Sequence, residues 1–158
     1  MNQKLNQGLL GIAASLILLT TGCTCEVNSV AVEVNPSGWT GGQTVQAIFP
    51  NRDTLSVREI SVFMLCCGRT GSDSLELFLT TITPDSLSVT ETIVLYPSAA
   101  VGTTRYRQVT RPYRSNIILG KTGEYHFEFS HEYIPSLEGI KAVGINVKNL
   151  RGRSDQEI

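Results

Sequence analysis

From Val30 to Val147, apolar side chains fall at every second position in short runs, and residues that favour turns separate the runs. A strand points successive side chains to opposite faces, so this spacing fits half-buried β-strands and does not fit helices, whose apolar stripe recurs at three and four residues. Val30, Val32 and Val34 open the series and end at Asn35-Pro36-Ser37-Gly38; Val45, Ala47 and Phe49 end at Pro50-Asn51. Ile60 to Leu65 is apolar on both faces from Val62 onward and reads as a central strand covered on each side. Leu75, Leu77 and Leu79 precede the turn Thr83-Pro84-Asp85, and Ser88 to Tyr96 continues the pattern less cleanly. Ile117 to Leu119, then Tyr125, Phe127 and Phe129, then Val143, Ile145 and Val147 complete about eight strands. The expected fold is all-β, an antiparallel β-sandwich or jelly roll, with residues 97 to 113 as its longest connection.

The first 22 residues follow a different rule. Lys4 is the only charged residue before Glu26, and the apolar run Leu9 to Leu19 follows it. A helix of eleven residues spans roughly 17 Å, short of the ~30 Å hydrocarbon core, so the segment reads as an export signal rather than a span. Its end, Thr20-Thr21-Gly22-Cys23, resembles the lipobox of bacterial lipoproteins, with Thr20 standing where Leu is usual. That resemblance implies cleavage before Cys23 and acylation of its thiol, a lipid anchor in the membrane. Thr24 follows in place of the Asp that resembles an inner-membrane retention signal, which favours the outer membrane, facing the periplasm. The expected organisation is a signal at 1–22, one β-sandwich domain at 23–150, and a polar tail at 151–158.

Chemistry is sparse. Thirteen Lys and Arg against fourteen Asp and Glu leave a net charge of -1, without the imbalance of a nucleic-acid carrier. Gly120-Lys121-Thr122 imitates the end of a phosphate loop, but Ser115 stands where that loop needs Gly. Glu124, His126 and Glu128 share one face of a strand, and a solvated outer face explains them as well as a metal does. His131 continues the inward phase of Phe129 at a strand end, where partial exposure is ordinary. Cys25, Cys66 and Cys67 cannot all pair within one chain; Cys25 could bridge to one of the other two, which otherwise fill or edge the core. No catalytic residue, cofactor, metal or small-molecule substrate is expected. The segment Arg105-Tyr106-Arg107-Gln108-Val109-Thr110-Arg111-Pro112-Tyr113-Arg114 carries four arginines and two tyrosines and no acid. Arg and Tyr anchor interfaces, so Arg105, Arg107, Arg111, Arg114, Tyr106 and Tyr113 are candidate partner contacts, against the plainer reading of a strand with a basic outer face. Trp39, in the flexible Ser37-Gly38-Trp39-Thr40-Gly41-Gly42, either caps the core or presents its ring to a ligand.

Gly123-Glu124-Tyr125-His126-Phe127 and Leu137-Glu138-Gly139-Ile140-Lys141-Ala142-Val143-Gly144-Ile145 resemble the gliding-motility lipoprotein GldH family of Bacteroidota, as does the early Gly38-Trp39. The chain departs from the family after Ile60 to Leu65, where it has Cys66-Cys67-Gly68-Arg69-Thr70. The resemblance implies a non-enzymatic envelope component whose partners are proteins of the gliding and type IX secretion machinery. A carbohydrate-binding or adhesion lipoprotein is the alternative, because jelly rolls present exposed aromatics to sugars.

Overall fold

The computed structural model describes residues 27–67, 73–99, 101–102 and 105–150. The expected signal, Cys23, Cys25 and the tail from 151 to 158 lie outside them. Among the described residues eleven strands follow in chain order: β1 (Val27–Glu33), β2 (Trp39–Thr40), β3 (Val45–Asn51), β4 (Val57–Cys66), β5 (Leu75–Ile82), β6 (Ser88–Leu95), β7 (Val101–Gly102), β8 (Arg107–Ile118), β9 (Gly123–Ser130), β10 (Ser136–Leu137) and β11 (Ile140–Asn149). A five-stranded sheet in the order β1-β11-β4-β8-β7 faces a four-stranded sheet in the order β3-β9-β5-β6, and β2 pairs with β10 apart from both. All pairings are antiparallel. The fold is an all-β sandwich.

The alternation has its expected cause. Val62 and Met64 of β4, Val143, Ile145 and Val147 of β11, Leu75, Leu77 and Leu79 of β5, and Phe127 and Phe129 of β9 all point between the sheets and join one buried cluster. Phe63 faces the other way and is still buried, because Gly144 opposite it on β11 has no side chain and the ring lies across that gap. One side of the sandwich brings the edge strands β1 and β3 together, and the other brings β6 to β8.

Two expectations change. The connection from 97 to 113 is shorter than its sequence implies, since β8 begins at Arg107 and runs for 12 residues. Its pairing with β4 slips twice: Arg58 and Ile60 face Ile117 and Arg114, while Ile60 and Ser61 face Arg114 and Pro112. Each slip is a bulge that adds one residue to β8, and Asn116 takes a positive φ of 55° at the first. The extra residues interrupt the two-residue alternation, leaving Arg111 and Ser115 exposed between the core-facing Val109, Tyr113 and Ile117, which hides the strand from a search for alternation. The second change removes Trp39 from the candidate partner contacts and bears out the reading that it caps the core: it lies in β2 with no exposed surface.

Strand register defines the two ends of the sandwich. Val27 pairs with Lys148, Asn149 with Arg58, Val57 with Ile118 and Asn51 with Gly123 at one end. Glu33, Cys66, Arg107, Val45 and Leu75 lie at the other. With about 3.3 Å per residue, the ten residues of β4 separate these ends by about 30 Å.

Candidate interaction surface

The basic segment is the first half of β8 and its approach, and it divides into two parts. Arg111, Tyr113 and Arg114 tie β8 to the facing sheet. The Arg111 guanidinium donates to the Val94 carbonyl at 2.6 Å, the Tyr113 hydroxyl donates to Glu91 at 2.7 Å and lies 3.1 Å from the Thr81 hydroxyl, and Arg114 forms an ion pair with the same Glu91 carboxylate. Arg114 also stacks on Tyr113, 4.2 Å from the ring centroid. The bulge at Tyr113 makes this reach available, since it turns the ring toward β5 and β6. The Tyr113 hydroxyl and Arg114 hold the Glu91 carboxyl below its ordinary value, and burial pushes the Tyr113 phenol up. These three side chains are struts across an open side of the sandwich, so their charge and hydrogen-bonding capacity are largely used within the protein.

Arg105, Tyr106 and Arg107 approach the strand from the end that holds Cys66. Arg105 and Tyr106 are exposed, and Lys141 lies over the Tyr106 ring at 5.2 Å. Beside them β7 pairs with β8 only at Gln108 and Arg107. Among the described residues the outer edge of β8 beyond Gln108 has no strand partner, and Thr110, Arg111 and Pro112 along it are exposed. Pro112 fits here because the missing N–H costs least on an edge or at a bulge.

Trp39 does not belong to this surface. Its indole N–H donates to the Gln43 carbonyl at 3.1 Å, and His131 meets its ring edge to face at 4.5 Å. The Gly38 to Gly42 stretch is tight rather than loose: a Cβ on Gly41 would lie 2.5 Å from the Tyr133 carbonyl oxygen, and Gly42 has a φ of 81° and donates to the His131 carbonyl at 2.7 Å. The loop after β9 therefore presses onto β2, and Trp39 plugs that end of the core. His131 is buried with it, contrary to the expected partial exposure; its Nδ1 accepts from the Tyr133 N–H at 3.1 Å, its Nε2 has no partner, and burial lowers its pKa.

Glu124, His126 and Glu128 do share the outer face of β9. His126 Nε2 lies 3.7 Å from Glu124, whereas Glu128 accepts from Gln46 at 3.0 Å. Among the described residues no group of three His, Cys, Asp or Glu side chains is placed to hold a metal ion. Cys66 and Cys67 are free thiols; Cys66 is buried, which pushes its pKa up and holds it as the neutral thiol.

Sequence reasoning missed one network. Arg58 on β4 is buried, with NH1 donating to Asn51 at 2.6 Å and NH2 to the Asp53 carbonyl at 3.0 Å, and its guanidinium lies 5.8 Å from the Phe49 centroid. Asn51 in turn donates to the carbonyls of Leu119 and Lys121 at 2.8 and 2.7 Å. This network fixes the β3–β4 and β8–β9 connections at one end, beside a polar cavity of about 570 Å³ lined by Asn28, Ser29, Arg52 and Asn149. The only available signal was the phase of Arg58, which alternation with Ile60 and Val62 points inward although its charge suggests an exposed side chain.

Compared with known proteins, the chain matches no protein-family model and no curated protein.

Proposed function

We propose that this chain is a lipid-anchored envelope protein that acts by binding other proteins, in the manner of the gliding-motility lipoproteins of the GldH family. The N-terminal segment ending at Cys23 supports the anchor. The observation that carries the binding role is the outer edge of β8, unpaired beyond Gln108 among the described residues and flanked by exposed Arg105 and Tyr106. An open strand edge offers backbone donors and acceptors to a partner strand, while Arg and Tyr supply side-chain contacts. The partner is thus an envelope protein of the motility or secretion apparatus that contributes an extended, acidic segment. The carbohydrate reading relied on Trp39, whose ring has no exposed surface.

The test is co-purification from gently solubilised membranes. Arg105→Glu with Thr110→Glu, both exposed beside that edge, should cut recovery of motility or secretion components several-fold, while the melting temperature falls only slightly, since exposed side chains contribute about 1 kcal/mol or less. Unchanged recovery would remove β8 from the binding surface.

A further inference from the structure

Four exposed aliphatic side chains lie at the end of the sandwich where the proposed anchor enters. Cys23 precedes Val27, the first residue of β1, by four residues, a span of at most about 14 Å. Val27 lies at the end where β3 meets β4, β5 meets β6 and β8 meets β9. At that end Leu55 is 84% exposed, Leu87 65%, Ile118 54% and Val27 48%. A single exposed leucine is ordinary, but a group of them at one end marks a contact surface.

Their turns are fixed rather than loose. Asp53 accepts from the backbone N–H of Leu55 at 2.9 Å and of Ser56 at 3.1 Å, which sets the bend that carries Leu55 outward. Thr83 and Leu87 bond reciprocally through Thr83 N–H to Leu87 O at 2.9 Å and Leu87 N–H to Thr83 Oγ1 at 3.2 Å. The charges nearby are closed within the protein: Arg58 pairs with Asp53 at 3.4 Å and Lys121 with Asp85 at 2.9 Å. Around the four aliphatic side chains lie these paired charges, exposed Arg52 and the polar cavity, groups that suit a headgroup layer, while the fixed turns hold Leu55 and Leu87 outward.

We infer that this end is a membrane seat: Leu55, Leu87, Ile118 and Val27 insert into the interfacial layer of the same bilayer that holds the Cys23 acyl chains. The inference rests on the anchor reading above. The tether makes insertion intramolecular, so a few partly buried aliphatic side chains suffice to orient the body without independent membrane affinity. With the body upright, the opposite end, which carries Arg105, Tyr106 and Ile134, stands about 30 Å further from the bilayer.

The test uses the full-length acylated protein, reconstituted in phosphatidylcholine vesicles containing lipids brominated in the acyl chains, which quench tryptophan on contact. The wild type supplies the Trp39 baseline, buried far from the seat. Leu55→Trp and, as a second reporter, Leu87→Trp should add emission that bromolipid quenches by more than half, while Ile134→Trp at the opposite end, where Ile134 is 92% exposed, stays unquenched. If the acylated, vesicle-bound variants show no quenching at Leu55 and Leu87, or equal quenching at Ile134, the seat is overturned and the anchor stands. Absence of a fatty-acid label on Cys23 would instead defeat the anchor reading, and the seat with it.

Discussion

Among individual residues, His131 gives the clearest link between burial and a solution property. It packs edge to face on Trp39, only one of its ring nitrogens has a partner, and burial holds its pKa below the ordinary 6.5. The folded protein therefore keeps His131 neutral where the unfolded chain takes up a proton. Stability from this group is complete above pH 6.5 and is lost progressively as the pH falls below it toward the folded value. Thermal melts from pH 7.5 to 5 should show a melting temperature that drops by a few degrees, and His131→Gln should flatten that part of the profile. The carboxyls of Asp85 and Glu91, lowered by Thr83 with Lys121 and by Tyr113 with Arg114, act in a separate window below pH 4.5. A profile unchanged by His131→Gln would show that the imidazole takes up its proton in the folded state. Sequence could not reveal this environment: the phase of β9 placed His131 inward, but only the approach of β2 and its glycines encloses it.

At the level of elements, what could be read from the sequence depended on whether the two-residue phase was unbroken. β3, β5 and β9 keep it from end to end, and their inward residues Ala47, Phe49, Leu75, Leu77, Leu79, Tyr125, Phe127 and Phe129 are all buried as the alternation requires. In β8 two bulges interrupt the alternation, so only every fourth residue, Val109, Tyr113 and Ile117, packs on the core, while Arg111 and Ser115 between them are exposed. The same bulges make Tyr113 and Arg114 struts to Glu91, which is why half of the basic segment serves the fold rather than a partner. Gly144 of β11 marks a different limit, a close approach that no pattern announces. A Cβ there would run into the Val30 carbonyl oxygen, lie 2.8 Å from the Ala31 Cα and lie 3.0 Å from the Phe63 ring. Gly144→Ala should therefore strain the β1–β11 ladder and cost about 1–3 kcal/mol in urea unfolding, with faster amide exchange in β1. Gly120→Ala, where a Cβ meets nothing within 4 Å, is the control and should be nearly neutral. Equal effects of the two would mean that β1 yields freely.

For the molecule as a whole, the proposed anchor raises the question whether tether and body are separable. The buried cluster draws on β1 through Val30 and Val32 and runs to Val147 of β11, and Trp39 and Leu137 close it at the end away from Val27. Among the described residues, every member of that cluster lies between Val30 and Val147. A β-sandwich closed in this way gains its stability from area removed from water between its sheets, a quantity the acyl chains do not alter. Cys23→Ser should consequently move the protein from the membrane fraction to the soluble fraction and abolish fatty-acid labelling, while the melting temperature of the full-length chain stays within about 2 °C of the acylated form in detergent. If the proposed anchor, seat and β8 edge act together, the loss of partner binding at the membrane should be complete even though the outer edge of β8 is intact, because the body is then neither concentrated at the bilayer nor oriented by Leu55 and Leu87. A large fall in melting temperature would contradict this division and make the residues before Val27 part of the fold. Retention in the membrane fraction without the label would instead mean that contacts of the folded body, the exposed aliphatic end foremost, hold it there unaided.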